Sequence, residues 1–237
     1  MIPQAQKQQM AEAVAHIRET IAAAARAAGR DPAQVKLCAA CKTRTVEEVR
    51  CSAELPIDLF GENHVQELVE KTDAGAYNGK PGHFIGHLQT NKVNKVVGRA
   101  ALIQSVDSTR LLDKIDTAAA RLGLVQDILL EVNIGREAAK SGFAPEKVLP
   151  AAEAALERTH VRVRGLMTIP PADAQRDANF RYFQEVQALY VDMNQKLFHN
   201  ELEYLSMGMS GDYEDAIRAG ATMVRVGSAI FGARHYN

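Results

Sequence analysis

Short apolar runs of strand length alternate with helical segments along almost the whole chain, and this alternation limits the fold more than any other feature. The strand-like runs span residues 35–42, 57–62, 83–87, 102–106, 127–132, 161–167, 204–207 and 223–226. Strands that alternate with helices are typical of parallel βα units. Eight such units in 237 residues predict an α/β fold, a (β/α)8 (TIM) barrel in which residues 1–237 form a single domain.

Helical segments separate these strands. They span residues 46–53, 65–72, 91–97, 109–122, 145–157, 178–198 and 213–219. An open, doubly wound sheet is the competing architecture. Its usual fingerprint, a GxGxxG turn after the first strand, is missing here, so the closed barrel is favoured.

An extra helix precedes the first strand. Its apolar residues on one face of a 3.6-residue period are Val14, Ile17, Ile21, Ala25 and Ala28. We expect this helix to stop at Gly29. Further along the chain, Ser108 and Ser210 are predicted to cap helix starts, and Gly123 and Gly220 to end helices.

The charge balance excludes several classes of partner. The chain has 28 Lys+Arg and 29 Asp+Glu residues, a formal net charge of −1, and no Trp. These values argue against a surface for nucleic acid or acidic membranes. No stretch approaches the roughly 20 apolar residues of a membrane span, no signal-peptide pattern opens the chain, and the three cysteines are an odd number. We therefore expect a reduced, cytoplasmic protein that contacts neither nucleic acid nor membrane.

Two short motifs resemble functional sites without meeting their requirements. Cys38 and Cys41 have CxxC spacing, but on a strand they point to opposite faces and lie about 10 Å apart, beyond the roughly 7 Å limit for a disulfide. We expect buried cysteines without a redox or zinc role. The run 75–80 departs from a P-loop in its spacing, and Pro81 stands where Ser or Thr would bind magnesium. It is predicted to be a surface loop.

Active sites of such barrels lie at the C-terminal ends of the strands, so the polar residues there are the candidates. They are Lys42, Asn63, His87, Ser105, Asp107, Asn133, Ser206, Ser210 and Arg225. Lys42 shares a strand face with the small residues Cys38 and Ala40, which suit a narrow barrel interior. A desolvated lysine has a lowered pKa and can attack a carbonyl carbon as a free amine. The alternative is an ordinary lysine, solvated or ion-paired.

The last two strands lead into a candidate phosphate site. Ser210 follows the seventh strand, and Gly227 and Ser228 follow the eighth. Exposed N–H groups at a helix start, beside small residues, bind phosphate, and barrels frequently hold a phosphate group at these two loops. The alternative is that Ser210 and Ser228 only cap helices.

Arg225 lies between two valines on the last strand and is predicted to face the barrel interior. A buried arginine needs a partner. Either a ligand fills that role, or an interior acid such as Glu62 or Glu131 does.

Two further patterns are predicted to carry no function. The basic helix face formed by Lys92, Lys95 and Arg99 fits a solvated surface in a chain without net positive charge. His83 and His87 are four residues apart, but the glycines around them favour a strand or turn over the helix that a zinc pair would need.

Taken together, the motifs resemble those of the YggS/PROSC family of pyridoxal 5′-phosphate (PLP) homeostasis proteins. The matching segments are 41–43, 61–67, 83–92, 105–108, 165–167, 205–210 and 224–232. Two departures are Cys41, where the family usually has Ser, and His64, where Tyr is common. Neither is expected to touch the cofactor.

The resemblance implies a barrel like the N-terminal domain of alanine racemase (fold type III), with PLP as cofactor. It implies that Lys42 forms a Schiff base with the PLP aldehyde. The other residues it places at PLP are Ser210, Gly227 and Ser228 at the phosphate, Arg225 at the pyridine nitrogen, and Asn63, Ile85 and Met207 along the ring. Arginine there disfavours a protonated ring and so weakens it as an electron sink. The resemblance assigns no catalytic residue and no metal.

Three functions fit such a site. One is a carrier that buffers intracellular PLP, a vitamin B6 cofactor, with apo PLP-dependent enzymes as recipients. The others are an amino-acid racemase and, less favoured, a Schiff-base aldolase acting on a sugar phosphate. Racemases of this fold carry a C-terminal β domain whose tyrosine acts on the second face of the cofactor, and racemisation needs proton transfer on both faces. Only residues 233–237 follow Gly232, so we expect no such domain, with Tyr236 a frayed residue. The expected protein is a non-enzymatic carrier, a monomer or weak homodimer.

Overall fold

Eight parallel strands close into a barrel in the order in which they occur in the chain. The structure, a computed structural model, describes residues 2–171 and 176–232. The strands are β1 (Lys36–Ala40), β2 (Leu59–Glu62), β3 (Gly82–Phe84), β4 (Leu102–Val106), β5 (Gln126–Val132), β6 (Val161–Thr168), β7 (Tyr204–Ser206) and β8 (Met223–Val226). The predicted barrel and the eight predicted strands are confirmed.

Nine α-helices of the described chain surround or extend the barrel. They are α1 (Gln4–Ala27), α2 (Val46–Ser52), α3 (Val65–Asp73), α4 (Val93–Val96), α5 (Thr109–Leu122), α6 (Val148–Leu156), α7 (Arg176–Leu197), α8 (Tyr213–Arg218) and α9 (Ser228–Phe231). Short 3-10 helices span Pro32–Gln34, Thr90–Lys92 and Pro145–Lys147. The segment predicted as one helix over 91–97 is thus divided between a 3-10 turn and the single turn of α4. No helix in the described part of the chain is long and apolar enough to cross a membrane.

The two faces of each strand enter different apolar layers, because side chains alternate along a strand. The layer inside the barrel consists of Cys38, Leu59, Leu102, Leu129, Met167 and Met223. Residues between them, such as Leu37 and Ala39 on β1, pack outward against the helices, as does Cys41 just after β1. Cys38 and Cys41 therefore lie on opposite faces of the barrel wall, and both are free thiols, as predicted. Burial raises the pKa of Cys38 to about 12.

The first helix packs against α8, α9 and α2. Its buried face includes Val14, Ile17 and Ile21, as the periodicity predicted. Ala28 differs from prediction, because α1 ends at Ala27 and Ala28 is exposed. Arg30 then ties this end of α1 to the outer wall by donating to the carbonyl oxygens of Ile217 and Ala221, at 2.9 and 2.8 Å.

The loop at residues 75–80 is only partly a surface loop. Tyr77 is buried and stacks on Phe60 of β2, with ring centroids 5.3 Å apart. The prediction of an exposed loop was wrong for this residue, since an aromatic side chain gains more from covering the barrel wall than from solvent.

A glycine makes an irregular strand pairing possible on one side of the barrel. The register between β5 and β6 shifts after Ile128, which pairs with Val163, so that Leu129 pairs with Gly165. Gly165 has a φ of +150°, and a Cβ atom at this position would lie 1.7 Å from the carbonyl oxygen of Tyr204 on β7. Only glycine fits here without moving β7.

We expect Gly165→Ala to lower the free energy of unfolding by about 2–4 kcal/mol, because the new methyl group must displace the backbone of a strand. Urea denaturation at equilibrium measures this loss. Gly123→Ala is the matched control: Gly123 also has positive φ, at +64°, but nothing lies within 4 Å of the added Cβ. That change should cost only about 1 kcal/mol, and equal losses in the two variants would contradict the steric explanation.

Candidate functional site

A cavity of about 210 Å³ opens at the C-terminal ends of the strands, where β8 meets β1. Its lining residues are Ala40, Lys42, Arg44, Met209, Ser210, Gly211, Arg225, Gly227, Ser228 and Gly232. Three of these carry positive charge, and none of the described lining residues is an acid. The cavity therefore favours an anionic ligand of small-molecule size.

Lys42 enters the cavity from a turn just past β1, which ends two residues earlier than predicted. The Cys41 N–H donates to the Gly61 carbonyl oxygen at 3.0 Å, and the Arg44 N–H donates back to the Cys41 carbonyl oxygen at 3.1 Å. Thr43 within this turn has a φ of +64°. The turn thus directs Lys42 and Arg44 to the same cavity, although they are two residues apart.

The far wall of the cavity consists of backbone amides and a hydroxyl group. Ser210 Oγ accepts hydrogen bonds from the N–H groups of Gly227 and Ala229, at 3.3 and 3.5 Å. Such long contacts leave both amides poorly satisfied. We call Ser210 and the N–H groups around Gly227 the Ser210–Gly227 cradle. A Cβ atom at Gly227 would lie 2.9 Å from the Ala40 carbonyl oxygen, so a larger residue at this position would clash with the end of β1. These N–H groups suit the oxygens of a phosphate.

Neither serine is the helix cap that the sequence allowed as an alternative. α8 begins at Tyr213, and Asp212 stands at its N-cap position. Ser228 is the first residue of α9, whose N-cap position is held by Gly227. The prediction of Ser210 as an N-cap was therefore wrong, because its hydroxyl group is turned across to the β8 loop.

Arg225 faces the barrel interior, as predicted, and is buried. Its guanidinium donates to Ser206 Oγ at 2.7 Å and to the Thr168 carbonyl oxygen at 2.9 Å. Ser206 donates in turn to Gln104 Oε1 at 2.7 Å, and Gln104 Nε2 lies 3.0 Å from Nδ1 of His83. A chain of neutral groups therefore crosses the barrel beneath the cavity.

The acids suggested as partners of Arg225 do not form ion pairs with it among the described contacts. Glu62 points outward to the helices, where its carboxylate lies 2.8 Å from Lys71 Nζ, so its assignment to the interior was wrong. Glu131 does face the interior, but it accepts from Ser141 Oγ at 3.1 Å. Burial raises the pKa of Glu131, and the charge of Arg225 opposes that rise from a distance.

The structure gathers five of the eight predicted PLP residues around the cavity, namely Lys42, Ser210, Arg225, Gly227 and Ser228. Asn63, Ile85 and Met207 lie outside its described lining. Met207 is packed in the outer core, whereas Ile85 approaches Gly61 on β2. Asn63 has a buried Oδ1 atom without a hydrogen-bond partner in the described structure. A role for these three along a cofactor ring stays a prediction.

Sequence reasoning missed Arg44, and it selected Ser206 as a polar residue at a strand end without pairing it with Arg225. Arg44 lies 5.6 Å from the ring centroid of Phe231 and donates to the Gly232 carbonyl oxygen at 2.8 Å. Its position two residues after Lys42 could have been noticed. Gln104 also left a signal, since it is a polar residue in the middle of an apolar strand.

The basic helix face and the pair His83 and His87 lie outside the described lining of the cavity. In the part of the chain that the structure describes, no cluster of three or more His, Cys, Asp or Glu residues could hold a metal ion. His87 Nδ1 lies 3.2 Å from Asp107 Oδ2, whereas His83 Nδ1 lies 3.0 Å from Gln104 Nε2. On the basic face, Lys95 and Arg99 are exposed, and Arg99 lies 3.8 Å from Asp73.

Comparison with known proteins assigns the family. A family model described as alanine racemase, N-terminal domain, matches residues 13–235. A pyridoxal phosphate homeostasis protein of Aquifex aeolicus is 40% identical over 225 residues, which cover 95% of this chain and 98% of the relative. The chain belongs to the alanine racemase N-terminal domain family and, within it, to the pyridoxal phosphate homeostasis proteins.

Two solved structures place the fold within this family. PipY of Synechococcus elongatus, in a structure with PLP bound, is 29% identical and aligns with a TM-score of 0.80 over 94% of this chain and 100% of its own. The alanine racemase of Corynebacterium glutamicum, at 16% identity, shares the fold alone, with a TM-score of 0.70 over 94% of this chain and 61% of the racemase. The resemblance inferred from the motifs is confirmed.

His83, at the end of the hydrogen-bonded neutral groups beneath the cavity, should make the stability of the protein depend on pH. Burial lowers the pKa of His83 to about 3, whereas an unfolded histidine has a pKa of about 6.5. Between these values the unfolded state binds more protons, so the free energy of unfolding falls as the pH drops below about 6.5. The contribution of His83 to the slope approaches about 1.4 kcal/mol per pH unit.

His83→Gln should flatten the dependence of unfolding free energy on pH between about 6.5 and 5. Urea denaturation across this range measures the slope, and the comparison between variants cancels the carboxyl groups common to both. His16→Gln, at an exposed position on α1, is the matched control for the replacement of a histidine by glutamine. An unchanged slope in His83→Gln would show that His83 is not held neutral.

Proposed function

We propose that this protein binds PLP covalently through Lys42 and acts as a carrier that buffers the cofactor. The observation that carries the proposal is the shared cavity, in which Lys42 and the Ser210–Gly227 cradle line one anion-attracting space. The name of the Aquifex aeolicus relative and the PLP bound to PipY support the same function.

The residues around the cavity fit the parts of PLP. Ser210, Gly227 and Ser228 would hold the phosphate, since two backbone N–H groups there have only long contacts with Ser210 Oγ. Arg44 is part of the same lining and lies 3.8 Å from the carboxylate of Glu48. When bound, PLP supplies an aldehyde that an amine can attack and a ring that withdraws electrons.

Arg225 is suited to the pyridine nitrogen. Its described hydrogen bonds go to neutral oxygens of Ser206 and Thr168, so its positive charge is not neutralised by direct contact. A cation at that position keeps a proton off the nitrogen and limits electron withdrawal by the ring. Arg225 therefore favours storage of the cofactor over reaction of a bound amino acid.

The described lining also supports binding over turnover. A racemase needs a proton acceptor and a proton donor on opposite faces of the substrate. The ionisable residues of the described lining are Lys42, Arg44 and Arg225, and arginine stays protonated in proteins. The described lining thus supplies one side chain, Lys42, that can act both as a proton donor and as a proton acceptor, where a racemase needs two such groups.

The remaining features of the proposal concern setting and partners. Three unpaired cysteines, Cys38, Cys41 and Cys51, are consistent with a reduced cytoplasmic location. Apo PLP-dependent enzymes are the proposed recipients of the cofactor, and the carrier is proposed to work as a monomer or weak homodimer.

Lys42→Ala should abolish covalent attachment of PLP. Wild-type protein mixed with PLP should show a visible absorbance band, and borohydride should fix the cofactor on Lys42, as found by peptide mass spectrometry. Lys36→Ala is the matched control, because Lys36 is exposed at the opposite end of β1. It should bind and fix PLP like the wild type.

The same preparations separate the carrier from the alternative functions. A carrier transfers PLP to an apo-enzyme, detected by recovery of the activity of that enzyme. Rapid inversion of a free amino acid by wild-type protein, lost in Lys42→Ala, would establish a racemase. Fixation of a sugar phosphate on Lys42 without binding of PLP would establish an aldolase.

Ser210→Ala should weaken the binding of PLP. The binding of pyridoxal, which has no phosphate, should be nearly unaffected. Loss of one hydrogen bond to a charged group corresponds to about 1.5–3 kcal/mol, or roughly tenfold or more in the dissociation constant. Titrations followed by absorbance give the two affinities. Ser108→Ala, which removes the α5 cap, should leave both unchanged, and a parallel loss for PLP and pyridoxal in Ser210→Ala would contradict the phosphate assignment.

A further inference from the structure

A buried ion pair lies directly behind the turn that carries Lys42. Glu62, at the end of β2, contacts Lys71 of α3 at 2.8 Å, and their side chains are 0% and 1% exposed. Lys71 also donates to the carbonyl oxygen of Cys41 at 2.8 Å. The peptide group immediately before Lys42 is therefore held by an ammonium group inside the protein.

The carboxylate of Glu62 joins several elements through one oxygen. Its Oε1 atom receives hydrogen bonds from Cys41 Sγ at 2.8 Å and Tyr77 Oη at 3.4 Å, besides the contact with Lys71. Burial raises the pKa of Glu62, and the charge of Lys71 opposes that rise. The pair thus connects the end of β1, the end of β2, α3 and the loop after α3.

The other side of Lys42 is held from the same helix. Glu67 lies one turn before Lys71 on α3 and accepts a hydrogen bond from the Thr43 N–H at 2.9 Å. Thr43 has the left-handed φ of +64°, which a β-branched residue rarely adopts. Two residues of α3 therefore form hydrogen bonds to the backbone on both sides of Lys42. These bonds stabilise the left-handed conformation of Thr43, which is unfavourable in their absence.

Stability alone does not explain an ion pair at this position. Removing two charges from water costs much of what their attraction returns, and an apolar pair of similar volume often stabilises a core as well or better. An apolar pair, however, could not donate to the Cys41 carbonyl oxygen. The feature that only the charged pair provides is the fixed position of the turn.

We propose that Glu62, Lys71 and Glu67 are positioning residues that aim the Lys42 amine at the aldehyde of PLP. This inference rests on the proposed function. In the step concerned, the Lys42 nitrogen attacks the aldehyde carbon, a carbon–nitrogen double bond replaces the carbon–oxygen double bond, and the oxygen leaves as water. No oxidant or reductant takes part. The three residues act through the backbone of residues 41–43 and need not touch the cofactor.

The test separates attachment of PLP from binding of its ring and phosphate. Pyridoxine 5′-phosphate carries the same phosphate and an alcohol in place of the aldehyde, so it measures non-covalent affinity alone. In the double variant Glu62→Leu/Lys71→Met, covalent attachment of PLP should slow by about tenfold or more, as expected for a misplaced reacting group. The affinity for pyridoxine 5′-phosphate should stay close to wild type.

A second pair of variants tests the hydrogen bond between Glu67 and the Thr43 N–H, which lies outside the buried core. Glu67→Ala removes the acceptor for the Thr43 N–H and should slow attachment, whereas Glu67→Gln keeps an acceptor oxygen and should restore most of the wild-type rate. Stopped-flow absorbance measures attachment, and borohydride fixation measures its final extent. These variants remain informative if the double variant does not fold.

The outcomes distinguish this inference from the proposed function. Absence of covalent attachment in wild-type protein would reject the proposed function, and with it this inference. Attachment in wild type, with unchanged rates in both the double variant and Glu67→Ala, would reject the inference alone. Equal losses of attachment and of affinity for pyridoxine 5′-phosphate would also reject it, since they indicate general disruption of the cavity.

Discussion

The parallel pairing of β1 with β8 is the contact on which the site depends. It closes the barrel and sets Cys38 beside Arg225 and Ala39 beside Val226. The loops that follow these two strands are therefore neighbours, although more than 180 residues separate them in the chain. This contact places Lys42 and Gly227 in the lining of one cavity. Any change that opens the seam between β1 and β8 would separate Lys42 from Ser210 and Gly227.

Charge is distributed unevenly around this seam. The interior side presents Arg225 on a chain of neutral groups that ends at His83, while the outer side holds the Glu62–Lys71 ion pair. Desolvation lowers the pKa of the Arg225 guanidinium, and acids such as Asp212 and Glu131 oppose this through space. These acids act on Arg225 at a distance, whereas Glu48 lies 3.8 Å from the Arg44 guanidinium of the cavity lining. The Glu62–Lys71 ion pair, on the helix side of the barrel wall, holds the Cys41 carbonyl oxygen without adding net charge.

Alternation along the strands made most of the fold predictable from sequence. It identified eight strands, the inward direction of Arg225 and the opposite faces of Cys38 and Cys41, because each depends only on the two-residue period of a strand. The site was predictable as far as strand ends converge in a barrel. Glu62 was misplaced because either face of β2 could have been the interior: Phe60 and Glu62 share one face, Leu59 and Gly61 the other. The role of Ser210 depends on how two loops meet across the barrel seam, and no local pattern encodes that.

Hydrogen bonds from α3 to the backbone around Lys42 restrict the position of this lysine from outside the cavity. A lysine at a strand end has a long flexible side chain, and fixing it costs conformational entropy. Here the cost is reduced at the backbone, since the peptide groups flanking Lys42 are already fixed by Lys71 and Glu67 from α3. The backbone contacts thus restrict where the Lys42 amine can lie without adding side chains to the cavity lining. Neither Lys71 nor Glu67 lines the cavity. In the proposed carrier, fixing the turn from outside the cavity therefore leaves the lining itself available for the cofactor to bind and dissociate.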